Sequence, residues 1–236
     1  MLAQDEIKRK LGKYAADLVP ANTTIGMGTG STIFWLIQEL AVRVRNGFSI
    51  KIVPTSVKTK KLAAEAGISS IELNDVDLLP VTIDGADEID DHFQLIKGGG
   101  GALLQEKMVA AASKKLIIVA DESKQVKQLG HFPLPVEVVP VGWKQVQKKI
   151  IATGCKKVVL REGNKEIFIS DNGHYILDCY FEKINDAKTL NIFLHLIPGV
   201  VETGLFINMA HSVIIGYSDG NIEVKENSEF NNLNII

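Results

Sequence analysis

The sequence predicts an α/β protein: an open, mostly parallel sheet with helices on both faces, followed by a smaller α+β module. Three observations lead there. Short apolar strand segments alternate with helical stretches over roughly the first 131 residues, the pattern of a parallel sheet covered by helices. A glycine turn, Gly26-Met27-Gly28-Thr29-Gly30, stands between the first strand and a long helix. At Phe132-Pro133-Leu134-Pro135 the pattern changes to strands of antiparallel type accompanied by two helices.

The elements follow in order. Ile7, Leu11, Ala15 and Leu18 recur at helical spacing and predict an amphipathic opening helix over 5–18. A strand at 24–25 runs into the glycine turn and a helix at 33–44. Then come a strand at 50–53, a helix at 57–66 and short strands at 71–73 and 79–83. After the glycines 98–101, a helix at 102–113 leads into a strand at 116–120. In the second module we read strands at 136–139, 158–161, 167–170, 175–180 and 200–206, with helices at 143–152 and 186–196. Asp171-Asn172-Gly173 predicts a hairpin between the third and fourth of those strands, because Asn-Gly tolerates the positive φ angles of the turn. Strands at 212–215 and 221–224 return to the first sheet, and the polar, Asn-rich residues past Glu226 are expected to fray.

Composition narrows the function. The 236 residues are 46% hydrophobic and 23% charged with a net charge of -2, which fits a soluble globular protein large enough to bury a substantial core. Near-neutral charge without a basic block argues against nucleic acid or an anionic membrane as the main partner. The start, Met1-Leu2-Ala3-Gln4-Asp5-Glu6, lacks the apolar core of an export signal. Apolar runs such as 116–120 are too short to span a bilayer. Cys155 and Cys179 read as buried structural thiols of a reducing cytoplasm, and the five scattered histidines form no metal motif.

Four polar clusters lie at predicted strand carboxyl ends, where an open α/β sheet binds its ligands. The glycine turn with Thr29, Gly30, Ser31 and Thr32 converges backbone N–H groups and two hydroxyls at a helix start, which suits a phosphate. A tight turn needing glycine for its backbone alone would look the same. A dinucleotide site is disfavoured: position 31 is Ser, and the second strand ends Val53-Pro54-Thr55-Ser56 without a ribose-binding acid. No Gly-Lys-Ser/Thr closes the turn as in a P-loop.

In Asp84-Gly85-Ala86-Asp87-Glu88, two carboxylates three residues apart can face one crevice and bond sugar hydroxyls. Glu88, Asp90 and Asp91 read as solvated, and a magnesium site ranks lowest because spacing indicates no further oxygen ligand. Lys97 precedes four glycines, whose entropic cost makes a mere linker a poor explanation. Lys97 could neutralise an oxyanion and Glu106, in the early turns of a helix, could act as a base; a Glu there also simply complements the helix dipole. Lys124, in Asp121-Glu122-Ser123-Lys124, could meet a phosphate. Each cluster alone is ambiguous, and together they indicate one crevice.

As a set, Gly28-Thr29-Gly30-Ser31-Thr32, Asp84-Gly85-Ala86-Asp87-Glu88, Lys97-Gly98-Gly99-Gly100, Glu106-Lys107, Asp121 through Gln125 and Phe132-Pro133-Leu134-Pro135-Val136-Glu137-Val138 resemble the ribose-5-phosphate isomerases of the A type over almost the whole chain. The resemblance implies interconversion of D-ribose 5-phosphate and D-ribulose 5-phosphate in the cytoplasmic pentose phosphate pathway, without metal or organic cofactor. It implies Glu106 as the base that moves a proton between C2 and C1 through an enediolate. Asp84 and Asp87 would hold or protonate sugar oxygens and help open the ring, and Lys97 would stabilise the enediolate oxygen. Thr29, Gly30, Ser31, Thr32, Gly85, Ala86, Gly98, Gly99, Gly100 and Lys124 would complete the substrate site, with Lys8 a further candidate.

The resemblance also implies a homodimer or tetramer and a discontinuous Rossmann-like catalytic domain, 1–131 and 207–236, interrupted by a ferredoxin-like α+β domain at 132–206. Two departures stand out: Gly101 where relatives often have Ala, and Gln105 before the proposed base where many have Arg. Two rival readings fit less well. A non-catalytic sugar-phosphate sensor would need a DNA-binding unit, and only about twenty residues precede the first strand, too few for a helix-turn-helix domain. A relative of the acyl-CoA transferases would use a Glu as nucleophile and would need a CoA-binding surface that the sequence does not display.

Overall fold

The computed structural model describes residues 1–231. In chain order its elements are α1 (Gln4–Asp17), β1 (Thr23–Met27), α2 (Ser31–Arg45), β2 (Ile50–Pro54), α3 (Val57–Glu65), β3 (Ser69–Ser70), β4 (Thr82–Asp84), β5 (Glu88–Ile89), β6 (Leu95–Ile96), α4 (Leu103–Ala111) and β7 (Leu116–Asp121). There follow β8 (Leu134–Val138), α5 (Trp143–Ala152), β9 (Lys157–Leu160), β10 (Glu162–Gly163), β11 (Glu166–Ile167), β12 (Tyr175–Tyr180), α6 (Ala187–His195), β13 (Val200–Thr203), β14 (Leu205–Phe206), β15 (Ser212–Gly216), β16 (Ile222–Glu226) and α7 (Ser228–Asn231). The chain forms two compact units. One holds 1–86, 105–124 and the chain from Met209 onward; the other holds 87–104 and 125–208.

The first unit is built on a seven-stranded sheet in the order β16-β15-β7-β4-β1-β2-β3, parallel except for the edge pair β15–β16. From β1 the chain winds outward through β2 and β3, then returns to β4 on the other side. This reversal is the topological switch point, and it opens the sheet between the carboxyl ends of β1 and β4. The helical spacing read from the sequence has a direct cause in packing: Ile7, Leu11 and Ala15 of α1 bury one face together with Leu36 and Leu40 of α2, each large side chain contributing about 1.5–3 kcal/mol. Gly12 lies between them, and its bare Cα rests on the backbone of Trp35 and Leu36.

The second unit has the chain order β8-α5-β9-β12-α6-β13 and an antiparallel sheet in the order β13-β8-β12-β9, the ferredoxin-like arrangement. A separate three-stranded sheet, β14-β6-β5, also belongs to it. The unit is therefore larger than the 132–206 expected from sequence. Residues 87–96 join it because β6 pairs with β14 and because Glu88, expected in solvent, is buried and accepts the N–H groups of Gly130 at 2.7 Å and Phe132 at 2.5 Å. Asp90 is also drawn in, with Oδ1 accepting from the His92 and Gln94 N–H groups.

Three local expectations change. The strand expected at 71–73 is instead β3 at Ser69–Ser70, with Leu73 opening a 3-10 turn. The hairpin at Asp171-Asn172-Gly173 closes with a single bridge, Ile169 to Tyr175, because β12 already pairs with β8 and β9. A hairpin at Asn164-Lys165, both at positive φ, joins β10 to β11 instead. The strand expected at 200–206 breaks at Gly204, whose missing side chain leaves room for the Lys97 carbonyl.

Past Glu226, Asn227 is buried and donates from Nδ2 to the Ala210 carbonyl at 3.1 Å, and Phe230 stacks on His211 with ring centroids 4.0 Å apart. The expected fraying at 232–236 falls outside the described residues. Cys155 and Cys179 are buried and free. No helix among the described residues is long and apolar enough to cross a membrane.

Two outcomes follow from this packing. A Cβ at residue 12 would lie 2.6–2.7 Å from Trp35 and Leu36 backbone atoms. Gly12→Ala should therefore destabilise by about 1–3 kcal/mol in urea unfolding, against the gain of about 1 kcal/mol that alanine brings to an unhindered helix. Burial lowers the His211 pKa from 6.5, outweighing the Met209 carbonyl that favours the charged ring. The unfolded chain thus takes up a proton that the fold resists, so this part of the stability is complete above pH 6.5 and is lost as pH falls through the lower folded value. Urea midpoints between pH 7.5 and 5.5 should decline more steeply for the parent than for His211→Gln; parallel declines would remove His211 as the cause.

Candidate active site

In the first unit, three of the predicted clusters follow adjacent strands β1, β4 and β7, so their common position at strand carboxyl ends is a consequence of sheet order. Asp84 ends β4 fully buried. A charged carboxylate there requires donors, and two backbone groups supply them: Gly85 N–H at 2.7 Å and Thr29 N–H at 3.1 Å, both to Oδ1. A Cβ on Gly28 would coincide with this carboxylate, so the second glycine of the turn is fixed by close approach. Gly30, at φ 136, precedes the first residue of α2 and provides no side-chain cap, leaving the N–H groups of that helix start for another acceptor. Ser31 is exposed and Thr32 is buried.

Thr29 is tied in at its hydroxyl as well. Oγ1 lies 2.8 Å from Thr55 Oγ1 and donates to Ser56 Oγ at 2.8 Å. Ser56 Oγ donates to Thr59 Oγ1 at 3.1 Å, which donates to the Gly28 carbonyl at 2.8 Å. With Thr55 as first donor, each hydroxyl gives one hydrogen in a single direction, an arrangement that strengthens every member. Ser56 also caps α3 by accepting the Thr59 N–H. These three residues were not among the sequence candidates. Thr55 and Ser56 stand at the end of the second strand, the place where a ribose-binding acid is missing; Thr59 has no local signal. A cavity of about 430 Å³ lies beside the loop, lined by Thr29, Gly30, Ser31, Phe34, Lys58 and Thr59 among others.

Glu106 stands in the first turn of α4, only 4% exposed. Asp121, at the end of β7, is buried and accepts the Ser123 N–H at 3.1 Å and the Ser123 hydroxyl. This turn sets Lys124, partly exposed, at the end of a short 3-10 helix.

In the second unit, Asp87 Oδ2 accepts the Gly99 N–H at 2.7 Å. Lys97, 2% exposed, follows β6, donates its backbone N–H to the Gly204 carbonyl at 2.9 Å and holds its Nζ 5.2 Å from the centre of the Phe206 ring. Gly98 and Gly101 take φ values of 101° and 81°, closed by a bond from Gly101 N–H to the Gly98 carbonyl at 2.9 Å; both conformations favour glycine. Sequence reasoning missed Arg161, which contacts this loop from β9's end and had no local motif to mark it. Among the described residues no group of three or more His, Cys, Asp or Glu could hold a metal ion.

The chain is similar to known proteins over most of its length. The family model of ribose 5-phosphate isomerase A (phosphoriboisomerase A) matches residues 51–220. Ribose-5-phosphate isomerase A of Bacillus anthracis is 56% identical over 216 residues, covering 91% of this chain and 98% of that protein; that of Ruegeria pomeroyi is 45% identical, covering 94% and 87%. Among solved structures, ribose 5-phosphate isomerase A from Methanocaldococcus jannaschii is 37% identical with a TM-score of 0.89, covering 95% of this chain and all of that one. A D-ribose-5-phosphate isomerase in complex with phospho-erythronic acid is 37% identical with a TM-score of 0.91, over the same shares. With the family model spanning most of the chain and relatives above half identity over nine-tenths of it, this chain belongs to the ribose 5-phosphate isomerase A family of aldose–ketose isomerases.

Proposed function

We propose that Glu106 is the base of the isomerisation between D-ribose 5-phosphate and D-ribulose 5-phosphate. The observation that carries this reading is a carboxylate sequestered from water in the first turn of α4, directly after the glycine loop. Glu106 removes the proton from C2 of the open-chain aldose. The C–H electrons form the C1–C2 double bond of an enediolate, and negative charge gathers on the former carbonyl oxygen. Lys97 stabilises that charge. Glu106 returns the proton to C1 while the proton of the C2 hydroxyl passes to the oxygen on C1, so that C2 becomes the ketose carbonyl and C1 carries the hydroxyl. One carboxylate serves both transfers because C1 and C2 are neighbours on one side of the planar intermediate.

Asp84 and Asp87 exchange protons with the sugar hydroxyls and help open the ring. The free N–H groups at the start of α2, with Ser31, Thr32 and Lys124, take the phosphate. Thr29 contributes by orientation, since its N–H and hydroxyl already have partners within the first unit. The enzyme works as a homodimer or tetramer in the cytoplasm, a setting in which two buried cysteines stay reduced.

Ribose 5-phosphate turned over in deuterated water should gain solvent deuterium at the reacting carbon, with or without chelator. Binding without turnover would favour a sensor instead. Glu106→Gln should fold and bind substrate as the parent does and lose activity by about 10²- to 10⁴-fold; turnover near the parent's would sink the assignment. Lys97→Ala should lower kcat more than it raises KM, and the reverse split would make Lys97 a phosphate contact.

A further inference from the structure

The glycine loop of the second unit is gripped by a charge pair that the reaction as described does not use. Arg161 follows β9, and its guanidinium meets Asp178 of β12 side-on: Nε donates to Oδ2 at 3.0 Å and Nη2 to Oδ1 at 2.5 Å. The third nitrogen, Nη1, donates to the carbonyls of Gly98 at 2.8 Å and Gly99 at 3.2 Å. Both side chains are largely withdrawn from solvent, 12% and 19% exposed. Phe168 completes the grip, with its ring centre 5.9 Å from the Arg161 guanidinium carbon and its edge in the space that a side chain on Gly101 would need.

The Gly98 carbonyl and the Gly99 N–H are two ends of one planar peptide unit. Its oxygen accepts from Arg161 at 2.8 Å and its N–H donates to Asp87 Oδ2 at 2.7 Å. Between two glycines, no side chain of the flanking residues limits the rotation of that plane, and within the loop its oxygen is met by the Gly101 N–H at 2.9 Å. The cation joins the Gly101 N–H in fixing that oxygen and polarises the peptide, making its N–H a stronger donor to the carboxylate.

The geometry points to Arg161, oriented by Asp178, as a positioning residue for Asp87 in the isomerisation. It acts through the Gly98–Gly99 peptide, and the inference rests on the role given above to Asp87. Only an arginine meets the demands of the place. A lysine ammonium is a single point of charge and cannot pair side-on with Asp178 while reaching the Gly98 carbonyl.

The test is a cycle of variants assayed with ribose 5-phosphate: Arg161→Ala, Arg161→Lys, Asp87→Asn, and Asp87→Asn combined with Arg161→Ala. Both Arg161 variants should lose about 10- to 100-fold, chiefly in kcat, the scale of a catalytic group displaced by about an ångström. In the Asp87→Asn background the Arg161→Ala change should cost less than threefold, because it acts through the carboxylate already removed. Arg161→Ala leaves Asp178 without its partner and could unfold the unit, so the charge-free pair Arg161→Met with Asp178→Leu serves as a second route. It should keep the parent's urea midpoint closely and show the same activity loss. A folded charge-free pair with the parent's kcat, or losses from Arg161→Ala and Asp87→Asn that multiply, would overturn the positioning role. Parent-like kcat in Asp87→Asn alone would overturn the role of Asp87 and this inference with it.

Discussion

Where the parallel sheet reverses its order, the carboxylate of Asp84 packs against the bare Cα of Gly28, and much of the first unit is arranged to permit that contact. A buried carboxylate is costly unless its oxygens are met by donors. The strand ends bring two, the N–H groups of Gly85 and Thr29. Delivering the second requires β1 and β4 to be neighbours, which in turn requires the chain to leave β1, build the β2 and β3 side of the sheet and come back. A side chain at residue 28 would push the carboxylate off the peptide that holds it. The turn is rich in glycine because of this neighbour as much as because of any phosphate.

The peptide that follows Gly28 is held in the same manner as the one that follows Gly98. In the first, the oxygen accepts from Thr59 Oγ1 at the end of a hydroxyl chain and the N–H donates to Asp84. In the second, the oxygen accepts from Arg161 and the N–H donates to Asp87. Each acid of Asp84-Gly85-Ala86-Asp87 thus rests on a backbone donor whose plane is fixed from its far side by a side chain of the same unit. Backbone groups flanked by glycine can approach a carboxylate closely, yet they are free to rotate. A hydroxyl and a guanidinium remove that freedom without occupying the approach.

Much of this was legible in sequence, and the division has a physical basis. The sheet, its helices and a smaller α+β module could be read because amphipathic spacing and turn residues are local signals, as in Ile7-Leu11-Ala15. Asp84, Asp87, Lys97 and Glu106 could be singled out because they follow strands or glycines, which reflect close packing nearby. Arg161, Asp178 and Thr59 could not: each lies on an ordinary strand end, strand or helix, and its meaning comes from a partner distant in the chain. Glu88 misled for the converse reason. Beside Asp90 and Asp91 it reads as surface charge, while two N–H groups from residues 130 and 132 make its burial tolerable. Strand length failed at Gly204, where one apolar run serves two sheets.

The departure at residue 101 also acquires a cause. The family resemblance sets Ala there as the common alternative, and at a φ of 81° a methyl group is strained before any neighbour is considered. In this chain the neighbour decides the matter, since Phe168 occupies the position a Cβ would take. The ring lies under the guanidinium of Arg161, so removing the side chain at 101 lets an aromatic surface support both the loop and the cation that orients it. Glycine at this point makes the loop more flexible as an isolated chain and more firmly held in the fold. The entropic cost of about 0.5–1 kcal/mol for a glycine relative to alanine is of the same order as one cation–π contact. Gly101 and Phe168 therefore form a complementary pair, and a chain with Ala at 101 would have to seat the ring elsewhere or replace it with a smaller side chain.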